Sequence, residues 1–116
     1  MKYEKILVTA AAGRTGSHVV KQLIEKGYPV RAMVRGLDEK SKRLTSFGAE
    51  VVVGDFFNPQ SLRIVMNGIK RAYFCYPPTD LLLDATTNFA IVAKEKGFES
   101  VVNMSQIIVR KTILVP

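Results

Sequence analysis

The chain is predicted to fold as an α/β domain, a doubly wound parallel sheet of strand order 3-2-1-4-5 with flanking helices. Three observations lead there. Short runs rich in Val and Ile alternate with longer amphipathic stretches, the sequence signature of parallel strands joined by crossover helices. Each amphipathic stretch is closed by a glycine, the residue that most readily ends a helix. The 116 residues, 47% hydrophobic and 23% charged, have the size and composition of one soluble domain with one core.

Ile6-Leu7-Val8 is the first strand. A loop of Ala and Gly follows, then a helix from Thr15 to Lys26 whose Val19, Val20, Leu23 and Ile24 share one face, stopped at Gly27. Val30 to Val34 is the second strand, followed by a short helix with Leu37, Leu44 and Phe47 expected inward and Gly48 at its end. Val51-Val52-Val53 is the third strand. Asn58 is the expected N-cap of the next helix, with Pro59 at its first position, where the missing N–H costs nothing; that helix ends near Gly68. The fourth strand runs from about Arg71 to Cys75 and is closed by Tyr76-Pro77-Pro78, since prolines do not continue a central strand. Asp80 is the expected cap of a helix carrying Leu82, Ala85, Phe89, Ala90 and Ala93 at helical spacing and ending at Gly97. Ser100 to Met104 is the fifth strand, and 107–116 is an apolar tail with no element assigned.

Seventeen basic against ten acidic side chains give a net charge of +7, which attracts phosphates, polyanions or anionic surfaces. The basic residues gather in one place, from Arg31 and Arg35 to Lys40, Lys42 and Arg43. Aromatic residues do not interleave with them and no DNA-binding helix motif is present, so nucleic acid is not the expected partner. A single cysteine, Cys75, and a single histidine, His18, exclude an internal disulfide and offer no metal-ligand spacing. A reducing cytoplasm is the expected setting. No apolar run reaches the ~18 residues of a membrane span and the N-terminus carries no signal-peptide pattern, so neither insertion nor export is expected.

The informative stretch is Val8-Thr9-Ala10-Ala11-Ala12-Gly13-Arg14-Thr15-Gly16, small residues ending in G-x-x-G between the first strand and its helix. Small side chains let backbone and phosphate approach, and a helix N-terminus supplies N–H groups and the positive end of its dipole. Gly16 would also let the helix pack close to the strand. G-x-x-G alone is weak, because glycines punctuate loops everywhere, and the turn has a purely structural reading. Its place after a strand, at the opening of a helix and within a β-α-β unit favours a bound dinucleotide pyrophosphate. In NAD-preferring sites an acidic residue at the end of the second strand accepts from the ribose. Here that position holds Arg35, which with Lys40 or Arg43 could pair with a 2′-phosphate, so NADP(H) is expected in preference to NAD(H). The alternative is a solvated basic face.

Asp55, after Gly54, lies where a carboxylate could accept from the adenine amino group, or is simply a turn residue. Tyr76 and Pro77 would line the cleft beside the ribose and nicotinamide, or only end the fourth strand. Ser105 could touch substrate or nicotinamide, or cap the following segment. The expected cofactor contacts are therefore Thr9, Ala11, Gly13, Arg14, Thr15, Gly16, Arg35, Lys40, Asp55, Tyr76, Pro77 and Ser105.

Taken together, Val8-Thr9 before the turn, Gly13-Arg14-Thr15-Gly16, Val30-Arg31-Ala32-Met33-Val34-Arg35, Gly54-Asp55 and Val101-Val102-Asn103-Met104-Ser105 resemble the NmrA-like group of atypical short-chain dehydrogenase/reductases. The resemblance implies a Rossmann fold over residues 1–106, NADP(H) with its ribose phosphate near Arg35, and membership of a group that holds NAD(P)H-dependent quinone and azo-type reductases as well as non-catalytic redox sensors. Two departures stand out. The first glycine of the group's G-x-x-G-x-x-G turn is Ala10, tolerable if its φ stays negative. The group's C-terminal substrate region is missing, which leaves 107–116 as a tail.

Catalytic residues are not assignable. The wider dehydrogenase family pairs a Tyr with a Lys four residues later, whereas Tyr3, Tyr28, Tyr73 and Tyr76 are followed at that spacing by Leu7, Ala32, Pro77 and Asp80. Cys75 reads as a small buried hydrophobe and His18 as a solvated or partly packed imidazole. Two readings follow: the NADP(H)-binding domain of an oxidoreductase, catalytically incomplete by itself, or a redox-sensing module that acts through a protein partner or self-association.

Overall fold

A computed structural model describes residues 4–76 and 80–103. Five strands, β1 (Ile6–Val8), β2 (Val30–Val34), β3 (Glu50–Val53), β4 (Arg71–Phe74) and β5 (Ser100–Asn103), form one parallel sheet in the order β3-β2-β1-β4-β5. Four helices, α1 (Arg14–Glu25), α2 (Glu39–Ser46), α3 (Pro59–Val65) and α4 (Leu82–Glu95), make the crossovers. Strand order and connectivity are those the sequence predicts.

Period-2 alternation along the central strands divides the core into two layers. Leu7, Met33 and Phe74 face α3 and α4, where Leu62, Val65, Phe89 and Val92 cover them. Val8, Ala32 and Val34 face the other way, toward Val20 of α1 and Leu44 of α2. Because both faces are covered, the central strands are continuous apolar runs, as a parallel sheet requires.

Local chemistry sets the helix ends. Asn58 accepts from the Gln60 and Ser61 N–H groups with Pro59 at the first position, as expected. Gly27, Gly48, Gly68 and Gly97 follow the four helices at positive φ. Asp38 caps α2 through a reciprocal box with Ser41, a bond pattern the sequence reading did not name.

Three expectations need correction. Leu37 is 75% exposed, because α2 begins only after Asp38 and Leu37 therefore falls in the preceding loop, off the helix's inner face. The N-cap of α4 is Leu81 rather than Asp80, and it makes no side-chain cap bond. Arg31 does not join the other basic residues: it lies near the start of β2, where its Nε bonds Glu50 Oε1 at 3.0 Å and its Nη1 donates to the Val65 and Asn67 carbonyls at 2.7 and 2.8 Å. It ties the start of β3 to the C-terminal end of α3 at the amino ends of the strands, away from the carboxyl end of β2 where Arg35 sits. Met104, the expected last residue of β5, lies outside the described residues.

Candidate dinucleotide site

The end of β1 is held before the glycine turn begins. Thr9 is fully buried, and its hydroxyl donates to the Cys75 carbonyl and accepts from the Cys75 N–H, both at 2.8 Å. The chain then turns through Ala10 at φ +48°, the one non-glycine at positive φ among the described residues. The negative φ expected for Ala10 is thus not what the turn adopts. The reason is the path: the Ala11 N–H must reach the Met33 carbonyl at 3.1 Å and the Gly13 N–H the Ala10 carbonyl at 3.1 Å.

The two glycines of the turn answer to different requirements. A Cβ on Gly16 would overlap the Ala10 carbonyl oxygen and lie 2.9 Å from Ala11 Cα, both immovable backbone, so the seating of α1 demands glycine there. Gly13 is different. Its φ of −77° and ψ of 174° suit any residue, and a Cβ there would meet only the Ala10 carbonyl oxygen at 3.4 Å, ordinary contact. Gly13 is also the N-cap of α1, makes no side-chain cap bond, and precedes a first turn with no acidic residue. The helix therefore presents its first N–H groups and positive dipole end with nothing from its own N-cap side chain to satisfy them.

That helix end opens into a cleft of about 820 Å³ at the carboxyl ends of β1, β2 and β4. Gly13 and Ala12 form one wall; Val34, Arg35, Gly36, Asp38 and Lys40 form a second; Phe56, Tyr76, Asp80 and Leu81 form the third. An adjoining space of about 410 Å³ shares Arg35, Phe56, Tyr76 and Leu81 and adds Gly54, Asp55 and Phe57. A third, of about 360 Å³, lies where Ala12, Gly13, Arg14, Ser17 and His18 meet Lys40 and Arg43 of α2.

Of the residues singled out from the sequence, the structure brings Gly13, Arg35, Lys40 and Tyr76 together in the main cleft, with Asp55 in the adjoining space and Arg14 in the third. Thr9 and Ala11 lie beneath the cleft, each fully buried, with the Thr9 hydroxyl and the Ala11 N–H already engaged. Gly16 is buried against the turn, and Thr15 is exposed on the first turn of α1 outside the lining of these three spaces. Asp55 Oδ1 accepts from the Phe57 N–H at 2.8 Å, and its own N–H donates to Ser61 Oγ at 2.9 Å. It is a turn residue and a wall residue at once. Tyr76 is half-buried and stands edge-on to Phe56, ring centroids 5.1 Å apart. Pro77 and Ser105 lie outside the described residues.

Sequence reasoning missed Asp38, Phe56 and Leu81 as cleft residues. Asp38 could have been found, since Asp38-x-x-Ser41, four residues past the end of β2, carries a capping signal and places a carboxylate in the loop at the strand's mouth. Cys75, just beyond β4, has its thiol pushed up to about 11 by burial and is a packed side chain rather than a nucleophile.

Residues 2–112 match the model of the NmrA-like family. The chain belongs to that family. Its fold matches triphenylmethane reductase of Citrobacter sp., solved in complex with NADP(H), with a TM-score of 0.72 and 31% identity, over 84% of this chain and 36% of that one. The NAD(P)H azoreductase of Xenophilus azovorans is 32% identical over 72 residues, 62% of this chain and 25% of that protein. The photosystem II assembly factor Ycf39 of Cyanophora paradoxa is 38% identical over 65 residues, 56% of this chain and 20% of that protein. This NmrA-like chain thus spans between a fifth and about a third of the length of these relatives. Its architecture is that of the NAD(P)-binding reductases. No helix among the described residues is long and apolar enough to cross a membrane.

Proposed function

We propose that this chain binds NADP(H), in preference to NAD(H), with the pyrophosphate over the N-terminus of α1, and that it is the cofactor-binding part of an NAD(P)H-dependent reductase acting on quinone- or azo-type acceptors. The observation that carries the reading is Gly13. The fold makes no demand for glycine there, by φ or by space, yet this position governs how closely an anion can approach the first N–H groups of α1. The 820 Å³ cleft in front of it is within the range of cofactor sites. Arg35, Lys40, Arg14 and Arg43 supply the positive charge that a 2′-phosphate needs.

Residues 1–106 are read as this cofactor domain and 107–116 as a tail, in a cytoplasmic setting. Hydride transfer to a quinone-type acceptor needs no Tyr–Lys acid pair, and Tyr76 in the cleft lacks one, with Asp80 four residues on. Turnover on this reading also requires substrate-covering residues beyond those that line the cleft among the described residues, and the chain is read as catalytically incomplete by itself.

A second reading, a redox-sensing or assembly module acting through a protein partner, draws on the name of the Ycf39 relative and on Leu83 and Ile91, exposed on the same side of α4. The experiment is a parallel calorimetric titration of the chain with NADPH and NADH at fixed salt, followed by assay with a quinone and an azo dye. NADPH binding at least about tenfold tighter than NADH supports the cofactor assignment. Turnover then selects the reductase, while binding without turnover selects the sensing module. A folded chain that binds neither dinucleotide removes the reductase and the redox sensor and leaves a protein-interaction module.

A further inference from the structure

The loop between β3 and α3 is shaped largely by short-range bonds. The Asp55 N–H donates to Ser61 Oγ at 2.9 Å, the Asn58 N–H donates to the Asp55 carbonyl at 3.1 Å, and the Phe57 N–H donates to Asp55 Oδ1 at 2.8 Å. One further bond comes from far along the chain. Asn88, half-buried near the middle of α4, donates from Nδ2 to the Phe56 carbonyl at 3.0 Å, across 32 positions of sequence. A carbonyl oxygen only accepts, so the Asn88 amide turns its nitrogen toward it. The support is firm, because Ala85, Phe89, Val92 and Ala93 seat α4 in the core. Asparagine is a weak helix former, so the helix itself gains nothing from it at this position. Asn88 also lines none of the three spaces described above.

The Phe56 carbonyl and the Phe57 N–H belong to one peptide group. In a trans peptide these two bonds point in opposite directions within one plane, so fixing the oxygen fixes the direction of the N–H. The carboxylate oxygen that accepts from that N–H is fixed with it. The bond from Asn88 polarises the group and strengthens the bond to Asp55 on its far side. Among the described residues the protein engages only Oδ1 of Asp55, which leaves Oδ2 to the adjoining space of about 410 Å³ that Asp55 lines. Phe57 and Tyr76 give that space aromatic walls, which suit a planar base. A carboxylate oxygen only accepts, so it favours a base that presents an amino group and disfavours one that presents an oxo group in its place. That choice is sharp only while the carboxylate is held; a carboxylate free to turn swings away from the wrong base.

We infer that Asn88 is a positioning residue for base selection: through the Phe56–Phe57 peptide it holds the Asp55 carboxylate so that the site prefers a 6-amino purine over a 6-oxo purine. The inference rests on the dinucleotide reading above and adds to it a specificity device seated on α4, one step behind the cleft wall.

The test is calorimetric titration of the chain with NADPH and with its deamino analogue, in which hypoxanthine replaces adenine. Wild type is expected to bind NADPH about tenfold more tightly than the analogue, the worth of one charge-assisted contact. In Asn88→Leu, which keeps the volume and removes the donor, the ratio is expected to fall to roughly twofold. Circular dichroism checks that the variant is folded, and Asn88→Ser, whose hydroxyl is too short to reach the carbonyl, takes its place if leucine is not accommodated. The decisive arm repeats the Asn88 substitution in Asp55→Asn, which keeps an acceptor for the Phe57 N–H but removes the carboxylate. If Asn88 acts through Asp55, the substitution no longer lowers the ratio there. A wild type that binds both ligands equally, a ratio unchanged by the Asn88 substitution, or a fall that persists in Asp55→Asn overturns the role of Asn88 and leaves the dinucleotide reading standing. Failure of the folded wild type to bind either ligand overturns the two together.

Discussion

The Thr9 hydroxyl closes both hydrogen bonds of the Cys75 backbone, donating to its carbonyl and accepting from its N–H at 2.8 Å each, across 66 positions of sequence. Thr9 also reaches β4 through its own N–H, which donates to the Tyr73 carbonyl at 3.1 Å. The ends of β1 and β4, from which the glycine turn and the Tyr76 segment depart, are thereby fixed relative to each other. Thr9→Val keeps the shape but leaves a buried N–H and carbonyl without this partner. We expect a loss of roughly 2 to 3 kcal/mol, a fall of about 10 °C or more in melting temperature for a domain of this size. Thr9→Ser, which restores the hydroxyl, should recover most of it. Thermal melts of the three proteins decide.

Ala10 stands in the left-handed region, where a Cβ is unfavourable by about 1 kcal/mol and glycine is at no disadvantage. Part of the gain from glycine is offset by the extra freedom it gives the unfolded chain. Ala10→Gly should therefore raise stability by roughly 0.5 kcal/mol, read as a shift in denaturation midpoint at constant slope. A loss of stability would show that the turn relaxes to a negative φ in solution.

Gly13 and Gly16 should separate binding from folding. Gly16→Ala forces backbone apart at Ala10 and Ala11 and should cost about 2 kcal/mol or more, by the same logic as overpacking in a core. Gly13→Asp meets no such obstacle, and as an N-cap residue Asp should hold or raise stability by a few tenths of ~1 kcal/mol. Its carboxylate would occupy the helix N-terminus and repel a pyrophosphate. The expected result is a normal melt with NADPH binding abolished; unaltered binding in this variant would make the turn purely structural.

Much of this fold can be read along the chain because its signals are local. Val-rich runs, Asn58-Pro59 and the glycines after each helix act within a few residues of where they stand, and they ended up where the pattern put them. The failures have physical causes of the same scale. Leu37 looked inward only if α2 started before Asp38, and the cap bond to Ser41 starts it later. Arg31 looked like part of a phosphate-binding cluster, but it is four residues from Arg35 on a strand that rises about 3.3 Å per residue, so the two lie at opposite ends of β2. In the site, the small residues of the turn were legible, whereas the φ of Ala10 and the engagement of Thr9 depend on Met33, Tyr73 and Cys75, partners that only the assembled sheet supplies. The pocket around His18 was equally invisible, since its far wall belongs to α2.

Arg35 stands where the main cleft and the space beside Asp55 meet, just beyond the end of β2. If it pairs with the 2′-phosphate, Arg35→Ser should weaken NADPH by about tenfold or more while leaving NADH within about twofold, as expected for one charge-assisted contact. Equal weakening of both dinucleotides would instead assign Arg35 to the adenine or the diphosphate. Parallel titrations at two salt concentrations add a check, because the NADPH advantage of wild type should shrink as salt screens the pair.

Cys75 gives a prediction in pH. Burial raises its thiol from an ordinary 9.0 to about 11 in the folded chain, so the folded state holds the proton more tightly than the unfolded one. The stability this represents is fully present below about pH 9 and is lost as pH rises through about 11, because only the unfolded chain gains by ionising in that window. Cys75→Ala should be less stable than wild type at pH 7, through the atoms removed from a packed site, and the gap between the two should narrow at alkaline pH. Alkylation of the thiol at pH 7 should follow opening of the structure rather than the free-thiol rate, and rapid labelling of the folded chain would place Cys75 in contact with solvent.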